Sequence, residues 1–292
     1  MKNILGIELK KAVMNKGFLT AVLIGIFLAV VSFIYNVSIN KNDTNAMTEY
    51  AESDGVTYNP DTASDTLFNN WIGGEGGSLG TVVYYFIFPL LITLPYGWSF
   101  VSEKKSGYWR AMAVYCGKRN YYVCKYIAMF LSGGMAMVIP LIFSIMLTAC
   151  YFPAVKPFVV YDMYYGVFSN SLFADLYYTY PFIYLLVYLV IDFVFCGVLA
   201  CLCMTAALFI KQKPIVMVTP MLFCMAVNFC TKFVYDAAIR SYNNKELSPL
   251  YYLKPYSNRY PSDMMVIAMT AVALFIVTFV ISYGWERHNE IY

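Results

Sequence analysis

Six long stretches without charge, one of them interrupted once, constrain the fold of this chain more than any other feature. Each is long enough to cross the hydrocarbon core of a bilayer as a helix, which takes about 20 apolar residues. Backbone groups in lipid must be hydrogen-bonded within a helix or a closed barrel, and these continuous runs lack the alternating pattern of barrel strands. The stretches are residues 17–40, 76–102, 126–155, 176–210 (interrupted by Asp192), 214–231 and 264–285.

The composition leads to the same conclusion. Hydrophobic residues make up 60% of the 292 residues and charged residues 13%, whereas soluble domains carry about 25% charged residues. We therefore predict an all-α integral membrane protein with a single transmembrane domain over residues 1–292. Its six predicted spans lie near 18–36, 81–101, 127–151, 181–210, 214–232 and 264–284.

The distribution of Lys and Arg predicts the orientation. If the N-terminus is cytoplasmic, 13 of the 20 basic residues fall in inner segments. This excess of basic residues on the inner side predicts that both termini are cytoplasmic. We expect a multi-pass protein of the plasma membrane. Because these residues are spread along one face of the membrane, lipid accounts for them and no nucleic-acid partner is expected. The 13 residues are Lys2, Lys10, Lys11, Lys16, Lys104, Lys105, Arg110, Lys118, Arg119, Lys125, Lys211, Lys213 and Arg287.

Residues 1–17 are predicted to form an interfacial helix before the first span. One side is apolar and the opposite side is polar, a pattern typical of a helix that lies on a membrane surface. A simple basic stop before the span is the alternative. The apolar side holds Leu5, Leu9, Ala12 and Val13, and the polar side holds Glu8, Lys11 and Asn15.

Three outer loops are predicted, at 37–80, 153–180 and 233–263. The first is polar, and its glycine run at 73–77 lacks the Lys-Ser or Lys-Thr of a phosphate-binding loop, so we expect a flexible lead into the second span. The second contains nine aromatic residues, which favours an aromatic belt on the outer membrane surface, with a binding platform for an apolar substrate as the alternative. The third loop is expected to form a short pair of helices that closes the outer end of the helix bundle.

Four prolines lie inside predicted spans: Pro89 and Pro95 in the second, Pro140 in the third and Pro220 in the fifth. Each removes a backbone donor and is expected to kink or break its helix. Transport proteins often use such discontinuities, although proline is also common in membrane helices for ordinary packing.

Asp192 is the one carboxylate inside a predicted span, where a charge is costly and should face protein or water. Asn228 reaches a similar depth in the fifth span, so we predict that the two share a polar patch on the substrate path. A structural hydrogen bond between helices is an equal alternative. Cys201 and Cys203 have the spacing of a metal pair, but no second cluster lies nearby, so we predict no metal site and a packing role for the cysteines.

The inner loop at 102–126, called the coupling loop below, is the most informative segment for function. It carries six basic residues mixed with aromatic and small apolar residues. A free loop has no need of Trp109, Val114 and Tyr115 at its centre, whereas a short helix seated in a groove of a cytoplasmic partner does. The loop is therefore predicted to bind another protein.

With its interfacial helix, six spans and coupling loop, the chain resembles a permease of the ABC-2 exporter family. The family shows a Glu, a Gly a few residues later, and a basic residue six positions before the Lys that opens the third span. Here these are Glu103, Gly107, Arg119 and Lys125. Cys116 and Gly117 stand where the family often has a proline.

This resemblance implies a second permease, expected to be identical, and two copies of a separate ABC ATPase subunit docked on the coupling loop. ATP and Mg would be bound by that ATPase, and the permease itself would hold no cofactor and no catalytic residue. The sequence contains no G-x-x-x-x-G-K-[ST] motif. The implied substrate is hydrophobic or amphipathic, with a peptide preferred, as in toxin-peptide and bacteriocin exporters. The expected ATPase-coupling residues are Glu103, Gly107, Tyr108, Trp109, Arg110, Lys118 and Arg119.

Other classes of membrane protein remain open. A drug or lipid exporter of the same family would have the same topology. A secondary transporter could be built from two inverted three-span halves, although a single membrane carboxylate is then all that is available for ion coupling. An enzyme is disfavoured, because His288 is the one histidine and neither H-E-x-x-H nor G-x-S-x-G occurs.

Overall fold

The computed structural model of the chain describes residues 2–57, 64–237, 244–256 and 260–288. Within these ranges the chain is helical, and no strand is present. One 3-10 turn at Val159–Tyr161 separates α7 from α8. The helices are α1 (Lys2–Val13), α2 (Lys16–Ser53), α3 (Leu67–Asn70), α4 (Leu79–Leu91), α5 (Ser99–Ser106), α6 (Tyr108–Cys116), α7 (Lys118–Ala149), α8 (Asp162–Tyr165), α9 (Ala174–Thr179), α10 (Pro181–Ala200), α11 (Leu202–Phe209), α12 (Lys213–Ala237), α13 (Pro249–Tyr252) and α14 (Met264–His288).

Five helical segments are long and apolar enough to cross a membrane: α2, α7, α10 together with α11, α12, and α14. This agrees with the prediction of an all-α, multi-pass membrane protein. α7 lies at the centre and packs against α1, α2, α6 and α10. α4 is equally apolar, but with 13 residues it is too short to span a bilayer alone.

The second predicted span, 81–101, is a broken helix. α4 and α5 are separated by a turn over residues 92–98. Pro95 lies in this turn and has no N–H to continue a helix, so the break that its position predicts is confirmed. In contrast, the helices α7 and α12 continue through Pro140 and Pro220.

The joint between α1 and α2 is fixed to this break by Asn15. Its side-chain oxygen accepts a hydrogen bond from the Phe18 N–H at 2.8 Å and caps α2. Its amide nitrogen donates to the Pro95 carbonyl at 2.8 Å, as well as to two carbonyls at the end of α1. Gly17 lies so close to the Leu94 carbonyl that a Cβ would approach its oxygen to 2.3 Å. The first joint and the break in the second span therefore form one packed unit.

α1 is helical as predicted, but its orientation is not the predicted one. Ile4, Glu8 and Ala12 face the bundle, and Glu8 and Ala12 are fully buried. The assignment of Glu8 to an outward polar side is therefore wrong. The physical reason is that Glu8 meets the buried Lys125, from a distant part of the chain, as well as its neighbour Lys11, so its charge is compensated inside the protein.

The first predicted outer loop is more helical and more buried than expected. α2 continues past residue 36 to Ser53, and residues 66–74 are buried against the bundle. Gly73 lies against the fully buried Trp71 ring, where a Cβ would come within 2.3 Å of a ring carbon. The prediction of a flexible glycine lead is wrong, because these glycines permit close packing around the tryptophan. Residues 58–63 of this loop lie outside the described ranges.

The aromatic loop at 153–180 is only partly a surface feature. Tyr165 and Tyr177 are buried and continue into α10 through Tyr184 and Tyr188, with successive ring centroids 5.9, 5.0 and 4.9 Å apart. Tyr164 is 70% exposed on the other side of the loop. The surface-belt prediction is therefore wrong for Tyr165 and Tyr177, which begin a column of rings that leads toward Asp192.

The third predicted outer loop falls partly outside the described residues, at 238–243 and 257–259. Its described part is anchored by α13. Tyr252 is buried there, edge-on to Phe195 with ring centroids 5.4 Å apart, and its hydroxyl lies 3.0 Å from that of Thr270. α13 thereby joins this segment to α10 and α14.

The fourth predicted span consists of α10 and α11, which meet at Cys201. The thiols of Cys201 and Cys203 are fully buried. Each donates to a backbone carbonyl, that of Gly197 at 3.3 Å and that of Val216 at 3.4 Å. These contacts fit the predicted packing role.

Candidate functional site

Four charged side chains form a closed ring where α1, α5 and α7 meet. Lys125 Nζ lies 2.6 Å from a Glu103 oxygen and 3.4 Å from a Glu8 oxygen. Lys11 Nζ lies 3.2 Å from the other Glu8 oxygen and 3.6 Å from the other Glu103 oxygen. Each charge thus contacts both charges of opposite sign. We call this set, Glu8, Lys11, Glu103 and Lys125, the ionic cluster.

The ionic cluster lies in the protein interior rather than on its surface. The side chains of Glu8 and Lys125 are fully buried, that of Glu103 is 13% exposed, and that of Lys11 is 38% exposed. Two hydroxyls complete it, because Tyr96 donates to Glu8 and Tyr121 donates to Glu103. Buried charges are tolerated when they are paired and hydrogen-bonded in this way.

The electrostatics of α1 follow from these contacts. Burial raises the pKa of Glu8, but attraction from Lys125 and the hydrogen bond from Tyr96 outweigh it and hold that pKa below its usual 4.5. Burial likewise lowers the pKa of Lys11, but the hydrogen bond to Tyr108 and the two carboxylates raise it above its usual 10.5. Both groups are therefore charged throughout the physiological range.

The coupling loop folds into a helical hairpin, α5 and α6, that carries one wall of the cluster. Gly107 joins the two helices with a φ of 76°, a left-handed conformation that favours glycine. Tyr108 follows directly and accepts a hydrogen bond of 3.2 Å from Lys11 Nζ. Lys104 donates to the Leu208 carbonyl at the end of α11, at 3.0 Å. The hairpin is thus bonded to both α1 and α11.

α6 has two distinct faces. Trp109 and Ala113 are buried against the bundle, at 9% and 3% exposure. Arg110 is exposed on the opposite face, together with Val114 at 72% and Tyr115 at 83%. A short helix with an exposed aromatic and aliphatic pair beside a basic residue is suited to binding another protein.

The predicted ATPase-coupling residues therefore separate into two groups. Glu103, Tyr108 and Trp109 point inward and connect the hairpin to the bundle. Arg110 is exposed near the start of α6, whereas in the first turn of α7 Arg119 is exposed and Lys118 is half-buried. The outward set can contact a partner, and the inward set can transmit its motion.

Asp192 lies on α10 without a hydrogen bond. Both of its carboxylate oxygens are buried and neither has a hydrogen-bond partner among the described residues. Asn228 is half-buried on α12, and the structure does not join it to Asp192 by a hydrogen bond. The ionisable groups that interact electrostatically with this carboxyl include those of Tyr84 and Tyr85 of α4, and of Tyr188 and Cys196 on its own helix. The Tyr85 hydroxyl is also buried without a partner.

A second buried carboxylate, Glu75, precedes α4. It accepts hydrogen bonds from the backbone N–H groups of Gly77 at 2.7 Å and Ser78 at 2.9 Å. The hydroxyls of Ser32, Ser78 and Thr81 also donate to it, the first at 3.0 Å. Glu75 is thus held by neutral donors between the middle of α2 and the start of α4.

Sequence reasoning missed half of the ionic cluster. It singled out Glu103 and Lys125, but it placed Glu8 and Lys11 on a polar surface and gave no role to the tyrosines. Two local signals were available: Glu8 interrupts the i, i+4 series from Ile4 to Ala12, and Lys125 interrupts an otherwise apolar start of a span.

Comparisons with models of protein families, with curated proteins and with solved structures found no match.

Proposed function

We propose that this chain is the permease subunit of an ATP-driven exporter. In this proposal the broken helix of α4 and α5 counts as a sixth span, both termini are cytoplasmic, and the protein resides in the plasma membrane. A second permease, identical in the simplest case, completes the pathway. Two copies of a separate ABC ATPase subunit bind ATP and Mg and dock on the coupling loop.

The observation that carries the proposal is the double-sided α6. Its outer face presents Val114 and Tyr115 to the aqueous phase, and its inner face is tied to the bundle through Trp109 and the ionic cluster. An isolated channel or a structural protein has no use for an exposed apolar face on a short helix that is so firmly connected to the spans. An ATPase that pushes on the loop needs both the exposed face, for docking, and the firm connection to the spans.

The contacts suggest how a push would travel. Movement of α6 pulls on Lys11 through Tyr108, and movement of α5 pulls on Lys125 through Glu103. Lys11 belongs to α1, whose end is fixed by Asn15 to the turn in the broken span, and Lys125 lies in α7 just before the predicted third span. The push therefore reaches the first, second and third spans together. Nucleotide would act by shifting the equilibrium between two arrangements of these helices.

An amphipathic or hydrophobic peptide is the proposed substrate. Aromatic side chains dominate the outer loop at 153–180 and continue inward as the tyrosine column of α9 and α10. Flat rings with a polar tip suit a substrate that has both apolar and polar groups. Asp192 lies at the inner end of this column and Asn228 lies on the neighbouring α12, and we keep both as candidate path residues.

Affinity purification in mild detergent tests the proposal directly. The full chain is tagged, and co-purifying chains are identified for the wild type, for a Val114→Glu and Tyr115→Glu double variant, and for Tyr164→Glu. Tyr164 is the matched control because it is 70% exposed but lies in the outer loop. A nucleotide-binding subunit should accompany the wild type and the control but not the double variant. If none accompanies any of them, or if all retain it equally, the proposed role of α6 is wrong.

A proton- or ion-driven secondary transporter is the second candidate, and one observation favours it. Glu75 is a buried carboxylate beside apolar helices, so Asp192 is not the only one available for ion coupling. Transport in sealed vesicles separates the two candidates. Dependence on ATP supports the exporter, and dependence on an ion gradient without nucleotide supports the secondary transporter.

A further inference from the structure

An apolar groove runs between α7 and α14 on the side of the bundle near the coupling loop. Its volume is about 290 Å³, at the lower end of the range for small-molecule pockets of about 300–1,000 Å³. Such a size suits a narrow chain better than a bulky ligand. The lining residues are Val123, Tyr126, Ile127, Phe130, Phe275 and Phe279.

The walls of this groove offer no free polar group. Tyr126 carries the one hydroxyl among the lining residues, and it is hydrogen-bonded to Thr278 at 2.8 Å. Phe275 and Phe279 are stacked with an interplanar angle of 15°, and the Tyr126 ring is edge-on to both, at 6.1 and 6.0 Å. An occupant must therefore be held by apolar contact alone, which favours a hydrocarbon chain over a peptide backbone with unsatisfied amides.

A basic residue marks the membrane-surface end of the groove. Arg119, Val123 and Ile127 are spaced four residues apart, so they share one face of α7. Arg119 is exposed at the end of this face, and it is about 6 Å from Val123 along the helix axis at about 1.5 Å per residue. Lys118 adds a second cation at the same level. A cation at the surface above an apolar groove complements a molecule with an anionic head and a hydrocarbon tail.

From this arrangement we propose that the groove binds one acyl chain of an anionic phospholipid, with its phosphate on Arg119. The lipid belongs to the leaflet on the side of the coupling loop. It would connect α14, which is largely exposed, to the start of α7, where Lys125 anchors the ionic cluster. The proposal does not depend on the exporter function, because it concerns binding and not transport.

The test uses the purified full chain, stripped of lipid in a neutral detergent and given either phosphatidylglycerol or phosphatidylcholine. Native mass spectrometry counts the lipids that stay bound. The Phe275→Ala and Phe279→Ala double variant should retain phosphatidylglycerol about tenfold less, since each buried methylene contributes roughly a fourfold factor. The matched control is the double variant at Phe229 and Phe233, a pair on α12 that is also stacked at 15° but lies outside the groove.

The headgroup contact is tested separately with Arg119→Gln. This variant should lose about fivefold of its preference for phosphatidylglycerol over phosphatidylcholine, the value expected for one basic residue at an anionic surface. Arg110→Gln, an exposed arginine on α6 away from the groove, should keep the preference. An unchanged preference in the Arg119 variant would overturn the headgroup assignment.

A variant that fills the groove separates a loss of lipid binding from a loss of folding. Ile127 is half-exposed, so Ile127→Trp adds volume inside the groove without removing a wall. It should displace the lipid while the melting temperature without lipid stays close to that of the wild type. Lipid retention equal to the control in both groove variants would overturn the proposal. So would a change from dimer to monomer with lipid retention intact, because the groove would then be covered by a second copy of the chain.

Discussion

Replacing Lys125 by Met should destabilise the protein by about 3–5 kcal/mol, the range found when one partner of a buried ion pair is removed. The ammonium lies 2.6 Å from Glu103 and 3.4 Å from Glu8. At an effective dielectric of about 20, these separations correspond to gross attractions of about 6 and about 5 kcal/mol. Desolvation of the ions offsets much of this sum in the wild type. In the variant the fully buried Glu8 keeps the hydrogen bond from Tyr96, but its one remaining cation is Lys11, which is partly exposed to solvent.

Thermal unfolding of the full chain in detergent, followed by size-exclusion chromatography, measures this effect. At roughly 2–4 °C per kcal/mol, the expected loss is about 6–20 °C in melting temperature. Lys105→Met is the matched control, because Lys105 is an exposed lysine on α5, the helix that carries Glu103. A Lys125 variant that melts within a degree or two of this control would refute the assignment of a stabilising ionic cluster.

Because each charge of the ionic cluster contacts both charges of opposite sign, a double variant measured by the same thermal unfolding tests whether Glu8 and Lys125 interact. Combining Glu8→Gln with Lys125→Met removes a carboxylate together with its buried partner, so the double variant should be less destabilised than the sum of the single variants. The expected coupling is about 0.5–3 kcal/mol. Strict additivity would show that Glu8 and Lys125 do not interact, whatever the size of the single effects.

Four other predictions concern single groups. The stability difference between the wild type and Glu8→Gln should be complete above pH about 4.5 and fall as the pH drops through the lowered pKa of Glu8, because the unfolded chain then binds more protons; thermal unfolding from pH 3 to 7 measures it, and a flat difference contradicts it. Asn15→Ala should cost at least about 1 kcal/mol, since the residue caps α2 and also bonds α1 and Pro95; a melting temperature equal to wild type contradicts this. Burial lowers the pKa of Lys254 to about 8 despite attraction from Glu75, so acetylation followed by mass spectrometry should show half-maximal reactivity near pH 8 and not near pH 10. Asp192→Leu should raise or leave unchanged the melting temperature, because neither carboxylate oxygen is hydrogen-bonded; a loss of several degrees would show that the carboxyl has a structural partner.

The helical spans could be predicted because lipid acts on each segment separately. A run such as 126–155 must satisfy its own backbone, so its length and lack of charge identify it without knowledge of its neighbours. Residues 127–149 of the predicted third span accordingly lie in α7. The break in the second span was predictable for a similar reason, since Pro95 acts on its own helix through a missing N–H.

The ionic cluster was only half predictable, because its stabilisation comes from residues far apart in the chain. Glu8 and Lys125 are 117 positions apart. The i, i+4 series around Glu8 indicates an apolar face, but it does not identify the cation that compensates the carboxylate there. An amphipathic pattern therefore assigned it to water. The same limit applies to residues 66–74, whose polar composition predicted a loop although contacts with α2, α4 and α7 bury them.

Glu8, Glu103, Glu75 and Asp192 are carboxylates with little or no exposure, and they differ in what compensates them. This difference bears on function. Glu8 and Glu103 are neutralised by lysines, and Glu75 is held by five hydrogen-bond donors. These ion pairs and hydrogen bonds offset the free-energy cost of burying the three carboxylates. Asp192 has no such compensation among the described residues. An uncompensated ionisable group within a membrane span is by default a hypothesis for a functional site. Stability alone would favour a leucine there. In the proposed exporter, we therefore assign this carboxyl to a step in which α4 and α10 separate and Asp192 meets a partner.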